Sequence, residues 1–411
     1  MKPGRSFMKS HFPPVGIPQR WVMSILFLTL LTSVNPVWAQ EQEEESFPGN
    51  SHFLRGGVQA GSVLQTNDFL KGDNLSGEPI DSFRSLRLEF GWQTDGSKDW
   101  HHSYNFPSFG IGLYGADFNN DEELGTPTSL YGFFNWPLIR GERWRFNFDM
   151  AFGLTNDWKP YDPVTNPKNV AMGLGRSVHI EGGPNIEYRL ANRWALIGGI
   201  TFTHFSNGGT QRPNHGINQV GPLLFVKYDT DTPVTLPARR HVSEYPEGWD
   251  LTVTGSAGKR NLDLELIGPE VEKFLNKSYF IGNITVGMGR RFSYKSRYVF
   301  GLDLGYDESV GDLIIIDGIQ NGVNARGTTG DNFELALFAG YEIVANRTHL
   351  IVHFGYKILY KELPNRLPEL YQRLGVKQFF YQDWFAGLNV RFHEIGSADN
   401  LEWTIGYKVG L

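Results

Sequence analysis

The stretch from Trp144 to Leu154 admits few folds. Trp144, Phe146, Phe148, Met150, Phe152 and Leu154 take every second position, and Arg145, Asn147, Asp149, Ala151 and Gly153 fill the gaps. A period of two puts the first set on one face of a β-strand and the second on the other. A soluble sheet has little use for six large apolar groups opposite a row of Arg, Asn and Asp. A closed barrel in a membrane does, because its outer surface meets lipid while its bore accepts polar side chains.

The alternation recurs along the chain. Leu86, Leu88, Phe90 and Trp92 oppose Arg87 and Glu89, and Val178, Ile180, Ile186 and Tyr188 oppose His179, Glu181, Asn185 and Glu187. Further on, Tyr298, Phe300, Leu302, Leu304 and Tyr306 oppose Asp303, and Trp384, Leu388, Val390 and Phe392 oppose Asn389 and Arg391. The chain ends in Trp403, Ile405, Tyr407, Val409 and Leu411 set against Glu402, Thr404 and Lys408, an amphipathic strand with an apolar last residue. Connections are short at 140–143, 191–192, 293–296 and 345–348, and long at 66–81, 155–176, 259–277, 308–331 and 361–382. Short periplasmic turns with long external loops are the outer-membrane pattern.

These segments predict an all-β, antiparallel transmembrane β-barrel protein of the bacterial outer membrane. Eight strands are expected between residues 52 and 230 and about seven between 248 and 411, joined by a Pro-containing connection at 230–248. Two architectures follow: an eight-stranded barrel (47–230) with a second barrel-like β lobe (240–411), or one barrel of about sixteen strands. Because single-chain bacterial barrels are even-numbered, either a strand is missing from the count, with Asp312–Ile319 a place for it, or the second lobe is irregular. Leu363–Leu374 reads as a short external helix or an ordered loop.

The first 39 residues read as a secretory signal peptide. Lys2, Arg5, Lys9 and Arg20 precede the apolar VMSILFLTLL, and Val37 and Ala39 stand at −3 and −1 of a small-residue cleavage site. Beyond residue 40 no run approaches the roughly twenty apolar residues of a membrane-spanning helix. With a net charge of −6 the chain lacks the basic footprint of a nucleic-acid binder, and with no cysteine it holds neither disulfide nor thiolate metal site. His101, His102, His179, His241, His349 and His353 show no metal-ligand spacing with acids, so no metal or other cofactor is expected.

Candidate chemistry lies in WALIGGITFTHFSN, residues 194–207. Trp194, Leu196, Ile200 and Phe202 share one parity and face lipid, and the same parity carries His204 and Ser206 to the outer surface near the external strand end. On the next strand Asn218 shares the parity of Val220, Leu224, Val226 and Tyr228. Polar groups directed at a bilayer are costly and need a reason. His and Ser two apart on one strand face have Cα atoms roughly 6–7 Å apart, within reach of proton transfer from hydroxyl to imidazole. A polar strand end at the headgroup level accounts for the same spacing.

HFSNGGTQRPNHGIN, residues 204–218, resembles the active-site motif of the lipid A 3-O-deacylase (PagL) family: His, any residue, Ser, Asn, then a loop with Pro-Asn and Gly before an acidic residue. The resemblance spans about residues 50–230. It implies an eight-stranded outer-membrane barrel whose lipid-facing Ser-His-Glu triad hydrolyses the ester-linked acyl chain at position 3 of lipid A. Carried over, His204 is the base, Ser206 the nucleophile, and Asn207 with the Gly208 backbone the oxyanion donors; lipopolysaccharide in the outer leaflet is the partner. The chain departs from the family at Asn218, which stands where the family has its glutamate. An amide can orient imidazole but cannot balance the imidazolium charge. Glu181 and Glu187, on the neighbouring strand, have inward parity. Two functions are therefore weighed: a lipid A esterase, and a non-enzymatic barrel, pore or structural, with a degenerate site.

Overall fold

The alternation becomes two closed antiparallel barrels in the computed structural model, which describes residues 51–233, 235–242, 245, 248–262, 271–274, 277–363, 366–393 and 397–411. The predicted signal segment 1–39 lies outside the described residues. The first barrel comprises β1 (Ser51–Leu64), β2 (Ser82–Gln93), β3 (Ser108–Asp117), β4 (Gly125–Arg140), β5 (Trp144–Trp158), β6 (Ser177–Arg189), β7 (Trp194–Ser206) and β8 (Ile217–Asp229). The second comprises β9 (Trp249–Arg260), β10 (Tyr279–Ser293), β11 (Ser296–Asp307), β12 (Phe333–Ala345), β13 (Thr348–Leu359), β14 (Leu370–Tyr381), β15 (Trp384–His393) and β16 (Ser397–Gly410). Each strand pairs with its chain neighbours; β1 closes on β8 and β9 on β16. The single sixteen-stranded barrel is excluded.

Two expectations are corrected. The strand missing from the sequence count is β14, inside the stretch read as a long connection or short helix. Its lumenal face carries Tyr371, Arg373, Lys377 and Phe379, but Gln372 and Gln378 interrupt Leu370, Leu374 and Val376 on the outer face and blunt the alternation. Asp312–Ile319, proposed as that strand, belongs instead to helix α2 (Ser309–Gln320) on the external side. Leu313 and Ile316 pack there with Leu262, Val271, Phe274 and Tyr279 over the mouth of the second barrel. A short helix, α1 (Asp99–Ser103), lies in the β2–β3 connection at the opposite, periplasmic end.

Outward side chains form the apolar surface that closed membrane barrels need. Leu86, Leu88, Ile111, Leu113, Leu130 and Ile200 on the first barrel, and Ile284, Leu302, Leu337 and Ile405 on the second, are exposed. Aromatic pairs line the rim with the short turns: Trp194 against Tyr228 (4.7 Å between centroids) and Trp384 against Tyr407 (5.1 Å). Such girdles sit at the headgroup level.

The bores are filled rather than open. In the first, Arg87 donates to Glu181 Oε2 at 2.6 Å and Thr203 to the same oxygen at 2.7 Å; Arg55 lies 3.1 Å from Asp149 and pairs with Glu89. In the second, Arg297 and Lys377 hold Glu342 at 2.8 and 2.7 Å, Arg373 holds Glu402 at 2.6 Å, and Arg391 holds Glu334 at 2.9 Å. Charges removed from water persist only when paired in this way. An apolar cap of Phe69, Leu70, Ile80, Phe118, Leu124, Trp158, Ala171 and Met172 then seals the external end of the first bore.

The barrels touch at both ends. On the periplasmic side the Tyr104 hydroxyl donates to Val344 O at 2.8 Å, and Lys295 Nζ lies 5.2 Å from the Trp136 ring centroid. On the external side the β7–β8 loop of the first barrel meets the start of β16, a contact that bears on the candidate site.

Candidate active site

The β7–β8 hairpin builds the site. Its register pairs His204 directly with Asn218, and Ser206 with Val178 on the other flank. The burial alternation along β7 and β8 sets the odd-numbered residues inward, so His204, Ser206 and Asn218 all point to the outside of the barrel. Glu181 and Glu187 are buried in the bore, Glu181 against Arg87 and Glu187 beside Lys227. The acids nearest in sequence are therefore on the wrong side of the sheet to serve the imidazole.

His204 Nδ1 lies 2.7 Å from Asn218 Oδ1. A carboxamide oxygen only accepts, so Nδ1 carries the hydrogen and donates it. The neutral ring then presents Nε2 as an unprotonated acceptor, the form a general base requires. Ser206 is 7 % exposed and Val178, its partner on the facing strand, 1 % exposed, so the serine is buried among protein atoms although it lies on the outward face.

The loop after Ser206 is fixed by its own side chains. Asn207 N–H donates to Asn214 Oδ1 at 2.9 Å, and the Asn207 amide donates to Gln211 O at 2.8 Å. The Asn207 backbone N–H and one amide N–H thus hold the turn, while the second amide hydrogen of Asn207 has no acceptor among the described contacts. Gly208 and Gly209 follow with φ of +64° and +77°, a left-handed pair open to glycine at little cost. Their N–H groups meet no protein acceptor among the described residues. His215 N donates to Val170 O at 3.1 Å and Gly216 N to Ala171 O at 3.0 Å, which ties the loop to the apolar cap.

Gly216 is a site residue to which the sequence reading gave no role. Its φ is +70°, and a Cβ there would stand 3.1 Å from His204 Cε1, 3.4 Å from Ser206 Cβ and 2.8 Å from Phe205 O. The bare Cα leaves the ring and the serine their room. A Gly two residues before the polar residue of the facing strand was the available signal.

Comparison with known proteins divides the chain at the same place as the two barrels. Residues 85–226 match the family model of lipid A 3-O-deacylase (PagL), and residues 248–410 match that of the acyloxyacyl hydrolase C-terminal domain. No curated protein matches the chain. Among solved structures it is similar to the outer membrane enzyme PagL, at 15% identity and a TM-score of 0.28, over 42% of this chain and 98% of that one. It is also similar to a TodX monoaromatic hydrocarbon channel mutant (10% identity, TM-score 0.18, 89% of this chain, 91% of that one). A triple mutant of the Rh. blastica porin matches at 11% identity and a TM-score of 0.16, over 88% of this chain and all of that one (100%). The chain is thus an outer-membrane β-barrel protein made of a lipid A 3-O-deacylase (PagL) domain followed by an acyloxyacyl hydrolase C-terminal domain.

Proposed function

We propose that this protein is a serine esterase that removes an ester-linked acyl chain from lipid A in the outer leaflet. The observation that carries the reading is the His204–Asn218 hydrogen bond of 2.7 Å, made on the lipid-facing side of β7–β8 with Ser206 two residues along the same face. A substrate whose acyl chains lie in the membrane reaches such a site from the side, without entering the bore.

His204 Nε2 takes the Ser206 hydroxyl proton as Oγ attacks the ester carbonyl carbon. The tetrahedral oxyanion accepts hydrogen bonds from the N–H groups of the Gly208–Gly209 turn, while Asn207 holds that turn in shape. His204 then gives its proton to the departing sugar oxygen, leaving an acyl-serine. Water, deprotonated by the same nitrogen, attacks the acyl-serine, and Ser206 leaves as hydroxyl with release of the fatty acid. Asn218 keeps the ring oriented throughout but adds no negative charge. Turnover is therefore expected to be slow for a triad of this kind.

The filled bores favour this over a pore, since both are packed with paired charges. The test is mass spectrometry of lipid A incubated with purified protein in detergent. Loss of one hydroxyacyl chain is expected with the wild type and not with Ser206→Ala. Equal product from both would remove the serine mechanism.

A further inference from the structure

We propose that the second barrel is a working part of this site. The external end of β16 acts as a mould for the Gly208–Gly209 turn, with Leu401 the positioning residue. The inference rests on the reading of Ser206 as the nucleophile and adds a role for the second domain.

Three contacts define the mould. A Cβ on Gly208 would lie 2.5 Å from Leu401 Cγ, so the Leu401 side chain already abuts the Gly208 Cα. A Cβ on Gly209 would lie 2.5 Å from Asp399 O and 2.7 Å from Ala398 O, so β16 backbone abuts the next residue of the turn. Beyond it, Arg212 Nη2 donates to Ala398 O at 3.2 Å. The two glycines that supply the oxyanion donors thus have their Cα faces occupied by β16.

The mould is itself held from inside the second barrel. Asp399 points into the bore, where Arg260 Nη1 donates to its Oδ1 at 2.8 Å; Arg260 also reaches Asp307 at 2.8 Å and Ser309 Oγ at 2.7 Å. This ties the start of β16 to the ends of β9 and β11, so a rigid sheet end, not a loop, faces the turn. Two successive glycines have wide backbone freedom and lose it only where something fixes them. Asn207 fixes the first half of this turn from within the first barrel. The half that carries the free N–H groups is fixed by the second.

Oxyanion stabilisation depends on donors held in place before the reaction, and displacements of an ångström cost orders of magnitude in rate. The expected result is that Leu401→Ala lowers kcat on the order of tenfold to a hundredfold with KM little changed. Leu401→Met, which refills the space, recovers most of the loss.

The readout that separates positioning from mere packing is a lipophilic trifluoromethyl ketone, which forms a tetrahedral adduct on the serine. Its affinity is expected to fall in parallel with kcat in Leu401→Ala. Tyr104→Phe, which removes an inter-barrel hydrogen bond on the periplasmic side, far from the site, is expected to leave both unchanged. A wild type that turns over while Leu401→Ala keeps wild-type kcat and adduct affinity overturns the mould alone. Equal kcat losses in Leu401→Ala and Tyr104→Phe overturn it too, because barrel packing in general would then be the cause. A wild type that forms no adduct at Ser206 overturns the serine reading, and the mould with it.

Discussion

Asn218 Oδ1 meets His204 Nδ1 at 2.7 Å across a directly paired position of two neighbouring strands. In the proposed esterase this contact supplies the orientation of a triad's third member without its charge. Asn218→Asp keeps the size and supplies the charge. It is expected to raise kcat by at least about tenfold, whereas Asn218→Leu, which lets the ring turn, lowers it by a similar factor or more. Single-turnover release of fatty acid measures both. A slower Asp variant would show that the carboxamide is not acting as an orienting acceptor.

Gly216 can be tested by one methyl group. Gly216→Ala puts carbon 3.1 Å from His204 Cε1 in a backbone conformation that costs alanine about 1 kcal/mol. The expected outcome is a folded barrel with hydrolysis reduced by roughly tenfold or more, since the ring must shift away from Ser206. Heat-modifiable mobility on gels checks the fold separately from activity.

The bore of the first barrel predicts a stability asymmetry. Arg87→Met strands Glu181 in a buried site and is expected to cost about 3–5 kcal/mol in denaturant unfolding from lipid vesicles. Adding Glu181→Leu removes the stranded charge and restores much of that loss. A double variant as unstable as the single one would mean that the pair itself, not the orphaned charge, governs stability.

Both bores predict an electrically silent protein. Reconstituted into planar bilayers, the purified chain is expected to give no stepwise conductance above the bare membrane. Reproducible steps would contradict the ion-pair packing described for Arg55, Arg87, Arg297 and Arg373.

His101 in α1 sets a pH dependence outside the membrane. Burial is the main cause that holds its imidazole pKa down to about 4, against the attraction of Asp95, and its Nδ1 accepts from Gly96 N–H at 3.1 Å. In the unfolded chain the same group titrates near 6.5, so between these values the unfolded state binds more protons. The stability contributed by the neutral ring is therefore full above about pH 6.5 and is lost as the pH falls toward 4. His101→Gln is expected to flatten that part of the melting-temperature profile. An unchanged slope would place its origin elsewhere.

Most of the barrel was legible because lipid outside and paired charges inside impose a period of two. β5 shows it plainly, with Asn147 and Asp149 buried between outward Phe146, Phe148 and Met150. β14 escaped because Gln372 and Gln378 sit on its outer face, and α2 was taken for a strand because the short apolar run Leu313–Ile316 reads alike in a buried strand and a buried helix. At the site, parity placed His204, Ser206 and Asn218 on one surface without coordinates. The packing of Leu401 on Gly208 leaves no trace in either segment, since it depends on how two closed cylinders meet. The commitment of Asn207 to Gln211 O was likewise hidden, because a loop has no period to read.

Arg87 and Glu181, like Arg373 and Glu402, stop each cylinder as a cork stops a bottle. On this packing, raising the copy number of the protein is expected to leave the envelope's resistance to detergents, bile salts and antibiotics unchanged.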